Sequence, residues 1–194
     1  MVLNCLDCKA KACKSNGADC FDLHGISREV YSRNEVNRMV KNSSKLVDGG
    51  RAGELSRFQE VIEFCRLQHY KNVGIAYCYG LEDIAHEVRN KLVDAGVGVI
   101  PARCTMGGVK ERHIDEEKDT ETISCNPAGQ AHFLNERADF VLELGLCLGH
   151  DVVFHQELNV PFTVMLVKDR VYAHAPLDGI HNYERDMEKL NAAT

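Results

Sequence analysis

The sequence predicts an α/β fold: a single domain with a mainly parallel sheet of four to five strands flanked by helices, and a cysteine-rich metal knuckle at its N-terminus. Three observations predict it. From residue 72 onward, short continuous apolar runs alternate with amphipathic stretches, the pattern of strands buried on both faces between helices. The chain has 194 residues, 44% of them hydrophobic, enough for one core and too few for two comfortable ones. Four of its nine cysteines fall within residues 1–25.

Residues 1–25 are rich in Cys, Lys, Asp and Gly and poor in core formers. Such a segment cannot bury enough apolar surface to fold alone, so a metal would have to organise it. The expected division is therefore 1–25 as a metal-binding segment and 26–194 as the α/β domain. Residues 27–47 read as a helix with Val30, Val36, Met39, Val40 and Leu46 toward the core, stopped by Asp48-Gly49-Gly50. A second helix is expected over residues 55–70, with Phe58, Val61, Ile62 and Cys65 on its apolar face.

The alternation then begins. Asn72 to Tyr77 is a buried strand, 81–95 a helix ended by Gly96, and 97–102 a strand weakened by Pro101. Residues 105–124 are a long polar loop, 126–138 a helix and 140–146 a third strand. A short helix over 150–158, a fourth strand over 162–167, a fifth over 171–174 and a terminal helix over 184–190 complete the reading. The β-α-β connections should be right-handed.

Composition excludes several function classes. Basic residues number 23 and acidic ones 29, giving a net charge of −6, the wrong sign for nonspecific nucleic-acid binding. No run approaches a membrane span and no secretory leader is visible at the N-terminus. A cytoplasmic protein is expected, without nucleic-acid or membrane partners, and compatible with a small-molecule ligand and a homo-oligomer. Nine cysteines are many for a reducing compartment, and an odd count resists full pairing, so metal ligation or redox chemistry explains them better than disulfides.

Cys5, Cys8, Cys13 and Cys20 form a C-x2-C-x4-C-x6-C motif. The two-residue gap lets a pair of sulfurs reach one ion, and four thiolates complete a tetrahedral shell. Gly17 allows a tight fold within the last spacer, and Lys9, Lys11 and Lys14 offset the thiolate charge. Zinc is the first reading. An iron–sulfur cluster competes, although the spacing matches neither common ferredoxin pattern.

A second set sits at strand ends. Cys78, Cys104 and Cys147 follow the first three strands, and Cys125 opens a helix. Ligands of parallel sheets bind outside the carboxyl ends of the strands. A cysteine at a helix N-terminus joins that edge under a favourable dipole. Taken singly, each cysteine also fits as a small core residue. Taken together, Cys78, Cys125 and Cys147 would hold a [4Fe-4S] cluster with one iron open to substrate, and Cys104 is a fourth ligand or a reactive thiol. Cys65, on an apolar helix face, reads as packing. His150 stands beside Cys147 as a proton-transfer candidate, against the alternative that His150 and Asp151 start and cap a helix. Lys168 and Arg170 are candidates for holding an anion, against a charged turn in a hairpin. No P-loop, dinucleotide fingerprint, H-E-x-x-H or G-x-S-x-G motif is present.

The leading cysteine cluster combines with Tyr77-Cys78-Tyr79-Gly80-Leu81, Cys125-Asn126-Pro127-Ala128-Gly129-Gln130-Ala131, Gly145-Leu146-Cys147-Leu148-Gly149-His150-Asp151 and Val167-Lys168-Asp169-Arg170-Val171. Over nearly the whole chain this combination resembles the prokaryotic family called domain of unknown function 1847, described as metal-binding. The resemblance implies metal binding and anaerobe-type cytoplasmic chemistry, and it supplies no reaction. The chain departs from that pattern at Phe21, where a Pro is usual, and at Ala175 after His174, where an Asn is usual.

Three functions compete at this level. One is an enzyme whose open iron acts as a Lewis acid on a small sulfur-containing or anionic substrate, with Cys104 or His150 handling protons and Lys168 orienting the anion. Another is a non-catalytic zinc-binding or redox-sensing module. The third is a carrier holding a persulfide on Cys104 or Cys147.

Overall fold

The computed structural model describes residues 4–118 and 120–192. Residues 1–3 of the cysteine-rich segment, Asp119 of the polar loop and the last two residues lie outside the described residues. The chain divides into two compact units, residues 1–52 and residues 53–194.

In the first unit the backbone is shaped by turns rather than by a core. A short helix α1 (Ala12–Ser15) follows Lys11, which is left-handed at φ 44°, and Gly17 at φ 72° turns the chain again. The Asp19 carboxylate accepts from the N–H groups of Leu23 (2.9 Å) and His24 (2.8 Å) and so starts α2 (His24–Ser32). Those two bonds hold the Asp19 carboxyl below its ordinary range. The single helix expected over 27–47 is in fact two. Arg33 is extended (φ −68°, ψ 123°) and separates α2 from α3 (Asn34–Val47). Neither α1 nor α2 contains a buried residue, and α3 buries only Asn42 and Leu46. Val40, expected inside, is exposed. Gly49, at φ 69°, ends the helix as its residue type predicts.

The second unit is the α/β fold. Helix α4 (Arg57–Gln68) opens with a capping box in which Ser56 and Gln59 exchange bonds. Then come β1 (Asn72–Tyr77), α5 (Glu82–Asp94), β2 (Gly98–Arg103), α6 (Pro127–Asn135), β3 (Phe140–Leu144), α7 (His150–Glu157) and β4 (Phe162–Leu166). All four strands are parallel, in the order β2-β1-β3-β4.

Helices cover both faces. Val73, Ile75, Tyr77, Phe140, Leu142 and Leu144 pack with Val61 and Cys65 of α4 and with Ala85 and Leu92 of α5. Ala76, Ala102 and Val141 face the other way, toward Ala131 and Leu134 of α6 and Phe154 of α7. Alternation along β1 therefore sends successive residues to two cores. Gly74 lies on the α6 side. A Cβ there would stand 2.8 Å from Leu134 Cδ2, which is why the helix approaches so closely.

Residues 171–174 do not form the expected fifth strand. They are a turn, with Ala173 at φ 49° and His174 at φ 70°. Asp169 is the physical reason: its carboxylate accepts from Val171 and Tyr172 N–H groups, both at 2.9 Å, and its carbonyl from His174 N–H at 2.8 Å. Two helices follow, α8 (Pro176–His181) and α9 (Tyr183–Ala192). No helix among the described residues is long and apolar enough to cross a membrane.

Candidate thiol centre

The register fixes one edge of the sheet. Tyr77 is paired with Arg103 and Leu144, and Leu144 with Leu166, so the four strands end in line. Cys78 and Cys104 come directly after two of those ends, Cys147 three residues after the third and Lys168 two residues after the fourth. The chain passes from β1 to β2 on one side and then crosses to β3 on the other. The crevice between β1 and β3 is thus the topological switch point, where ligands of open parallel sheets bind.

Two of the four sulfurs touch there, and the other two lie within electrostatic range of them. Cys104 Sγ lies 3.6 Å from Cys125 Sγ and accepts a bond from Tyr79 N–H at 3.3 Å. Cys125 feels the charge of both Cys78 and Cys147, and Cys104 that of Cys78. Each of the other two sulfurs faces a cation. Lys168 Nζ donates to Cys78 Sγ at 3.5 Å, and Arg170 donates to Cys147 Sγ at 3.1 Å. A thiolate at either place would meet positive charge at hydrogen-bonding distance. Arg170 is held more firmly protonated by that contact.

The supports are local. Asn126 caps α6, its side chain accepting from Gly129 N–H at 3.0 Å and donating to the Met106 carbonyl at 3.1 Å. Its own N–H binds the Cys104 carbonyl at 2.6 Å, which brings the backbone at Cys125 against that at Cys104. Gln130, fully buried on α6, donates to the carbonyls of Tyr77 (3.3 Å) and Ala102 (2.8 Å), steadying β1 and β2 just before their cysteines. Its Oε1 is buried without a partner.

Burial grades the thiols. Cys104, 2% exposed, is pushed up to about 12 by loss of water, with Tyr79 N–H opposing. Burial raises Cys125 as well, while the bond to Cys104 and the charge of Arg170 pull it down. Cys65 is fully buried in the core of the α4 face and is pushed up to about 12. The packing role expected of it agrees with this position.

A stability prediction follows for Cys65. Its folded-state value lies above the ordinary 9.0, so its contribution is complete below pH 9 and disappears as pH rises toward 12. Unfolding free energies from urea titrations taken upward from pH 9 should fall by up to about 1.4 kcal/mol per pH unit on its account. Cys65→Ala should lessen that slope. An unchanged slope would contradict the assignment.

His150 is the first residue of α7. Its N–H donates to the Cys147 carbonyl at 2.9 Å, and its ring Nδ1 is buried without a partner. Asp151 does the capping, accepting from Gly149 and Val152 N–H groups at 2.9 and 2.7 Å. His174 Nδ1 accepts from Asp169 N–H at 3.2 Å and belongs to the turn.

Two features escaped the reading of the sequence. Glu143, 2% exposed in β3, pairs with His155 of α7. Burial raises its carboxyl and His155 draws it back down. The signal was a lone carboxylate inside an apolar run. The other is the pairing of each cation with its own sulfur, which only the strand order reveals.

In the first unit, Cys5, Cys8, Cys13 and Cys20 are exposed and line one cavity of about 300 Å³ together with Lys11, Gly17 and His24. Among the described residues, no group of three or more His, Cys, Asp or Glu is gathered tightly enough to hold a metal ion. The donor sets themselves are all sulfur, the chemistry that thiophilic metals select.

Comparison with known proteins decides the family. The model of the family described as "Protein of unknown function (DUF1847)" matches residues 18–165. The chain belongs to the DUF1847 family. The matched stretch contains Cys20, Cys78, Cys104, Cys125 and Cys147, whereas Cys5, Cys8 and Cys13 precede it. The uncharacterized protein MJ0455 of Methanocaldococcus jannaschii is 33% identical over 184 residues, 92% of this DUF1847 chain and 94% of that protein. No solved structure matches.

Proposed function

We propose that this DUF1847 protein is a cysteine-thiolate metalloprotein whose working centre lies at the carboxyl ends of its strands. The observation that carries the reading is the pairing of Lys168 with Cys78 and Arg170 with Cys147. Two cations aimed at two sulfurs offset the negative charge of a thiolate-ligated centre. Cys78, Cys125 and Cys147 would hold a [4Fe-4S] cluster, with Cys104 as the neighbouring thiol. Such a cluster supplies Lewis-acid chemistry at an iron not bound by the protein.

The rest of the chemistry falls to the chain itself. Lys168 and Arg170 attract a small anionic or sulfur-containing substrate and orient it. Cys104, kept protonated by burial, is the proton donor of the site. His150 is a further proton-transfer candidate, beside Cys147. The N-terminal quartet would hold zinc as a structural ion.

The test is anaerobic purification with reconstitution by iron and sulfide, followed by elemental analysis and a visible spectrum. A brown protein is expected, and Cys78→Ala, Cys125→Ala and Cys147→Ala should each reduce the absorbance several-fold while Cys65→Ala leaves it unchanged. A colourless wild-type protein after reconstitution would remove the cluster. The second reading, a zinc-binding or redox-sensing module without catalysis, is favoured by the shared cavity of the N-terminal cysteines. It expects one zinc per chain and no visible band.

A further inference from the structure

We infer that Cys104 and Cys125 are a redox-active dithiol that closes into an intramolecular disulfide, and that this closure competes with metal for the strand-end site. The second half rests on the function proposed above; the first stands without it.

The geometry of the pair carries the inference. Their sulfurs are 3.6 Å apart, the one sulfur–sulfur contact within hydrogen-bonding range among the described residues. A disulfide needs about 2.05 Å, with Cα atoms roughly 4.4–6.8 Å apart. The bond from Asn126 N–H to the Cys104 carbonyl already sets the two backbones side by side. The loop between them is also paired: Ser124 N–H binds the Val109 carbonyl at 2.8 Å, Glu111 N–H binds that of Thr122 at 2.9 Å, and Lys110 bridges Ile123. A bond between residues 104 and 125 would staple the base of a loop whose sides already meet. Closure has to shorten the sulfur–sulfur separation from 3.6 Å to the bonded length.

Exposure divides the roles. Cys125 is half-buried and reachable, whereas Cys104 is 2% exposed. With a low-molecular-weight disulfide as oxidant, Cys125 sulfur attacks one oxidant sulfur and expels the other as a thiol. Cys104 then gives up its proton and attacks Cys125 sulfur, expelling the second thiol. Two protein thiols are oxidised to one disulfide, and one small disulfide is reduced to two thiols. Excess dithiol reverses the sequence. Cys78 and Cys147 stay with Lys168 and Arg170. Closure would therefore remove Cys125 from the thiolates available to a metal, and a bound metal would in turn withhold Cys125 from the oxidant.

The experiment uses the full chain, stripped of metal and fully reduced under anaerobic conditions. It is treated with oxidised glutathione, alkylated, digested and mapped by mass spectrometry. The expected product links the peptides of Cys104 and Cys125, two hydrogens lighter than the reduced pair. Cys104→Ala should instead stop at a glutathione adduct on Cys125. A wild-type map without the 104–125 link, or a Cys104→Ala protein with no adduct on Cys125, would overturn the dithiol. Repeating the oxidation after iron and sulfide reconstitution tests the competition. The link should form at least ten times more slowly in protein shown by elemental analysis to carry the metal. An equal rate in loaded protein overturns the competition. A protein that links normally yet takes up no metal upholds the dithiol and sinks the metal reading.

Discussion

Serine at Cys5, Cys8, Cys13 and Cys20 together should abolish zinc binding by the N-terminal segment and leave residues 4–32 open to protease. The effect should be large because the described part of that segment is held by turn and cap hydrogen bonds with no buried helix face behind them. Neither of its helices buries a residue, and α1 has only four residues, far below the length at which a helix persists unaided. The four cysteines are exposed, so serine costs almost no packing and the loss can be assigned to the metal. Zinc content should fall from one per chain to none. The far-UV signal of the sheet should persist, since both cores covering it lie within residues 61–158. Strong chelators should reproduce the pattern in the wild type. Unchanged zinc content in the serine variant would defeat the assignment, as would an unchanged digestion pattern.

Alanine at Gly145 should destabilise the α/β unit by about 2–5 kcal/mol, from ~1–2 for a left-handed backbone and ~1–3 for overpacking. Gly145 sits at φ 62° directly after β3. A Cβ would stand 2.4 Å from Leu81 Cδ1 and 3.1 Å from Leu166 Cδ2, and 3.7 Å from Lys168 Cδ. The residue therefore lies between the turn that leads to Cys147 and the side chain that faces Cys78. Gly149→Ala is the control. Its φ is 88° and ψ −39°, but a Cβ there meets nothing within 4 Å, so only a backbone cost of about 1–3 kcal/mol applies. Urea midpoints of the two variants separate crowding from conformation. Equal losses would show that the space around Gly145 is not limiting.

Much of the fold was legible because its signals are local. The apolar run Asn72 to Tyr77 coincides with β1, and the other three strands fall within two residues of their expected bounds. Gly96, at φ 82°, lies just past α5 as its residue type required. The errors arose where a side chain overrode the pattern. Val171-Tyr172-Ala173-His174 has strand-forming residues, but the Asp169 carboxylate captures two of the N–H groups a strand would use. The break at Arg33 has no Gly or Pro to announce it.

The sequence by itself determined that cysteines would follow the strands, because alternation of apolar runs and helices marks strand ends along one dimension. It also determined the spacing of the N-terminal quartet and the burial of Cys65. Which sulfur meets which partner was decided only by the tertiary structure. Lys168 reaches Cys78 across 90 positions of sequence, and Cys104 meets Cys125 across 21. Those pairings depend on β1 lying between β2 and β3 with the strand ends in register. That order is set by how helices and strands share two cores, an energy summed over the whole chain and carried by no single motif.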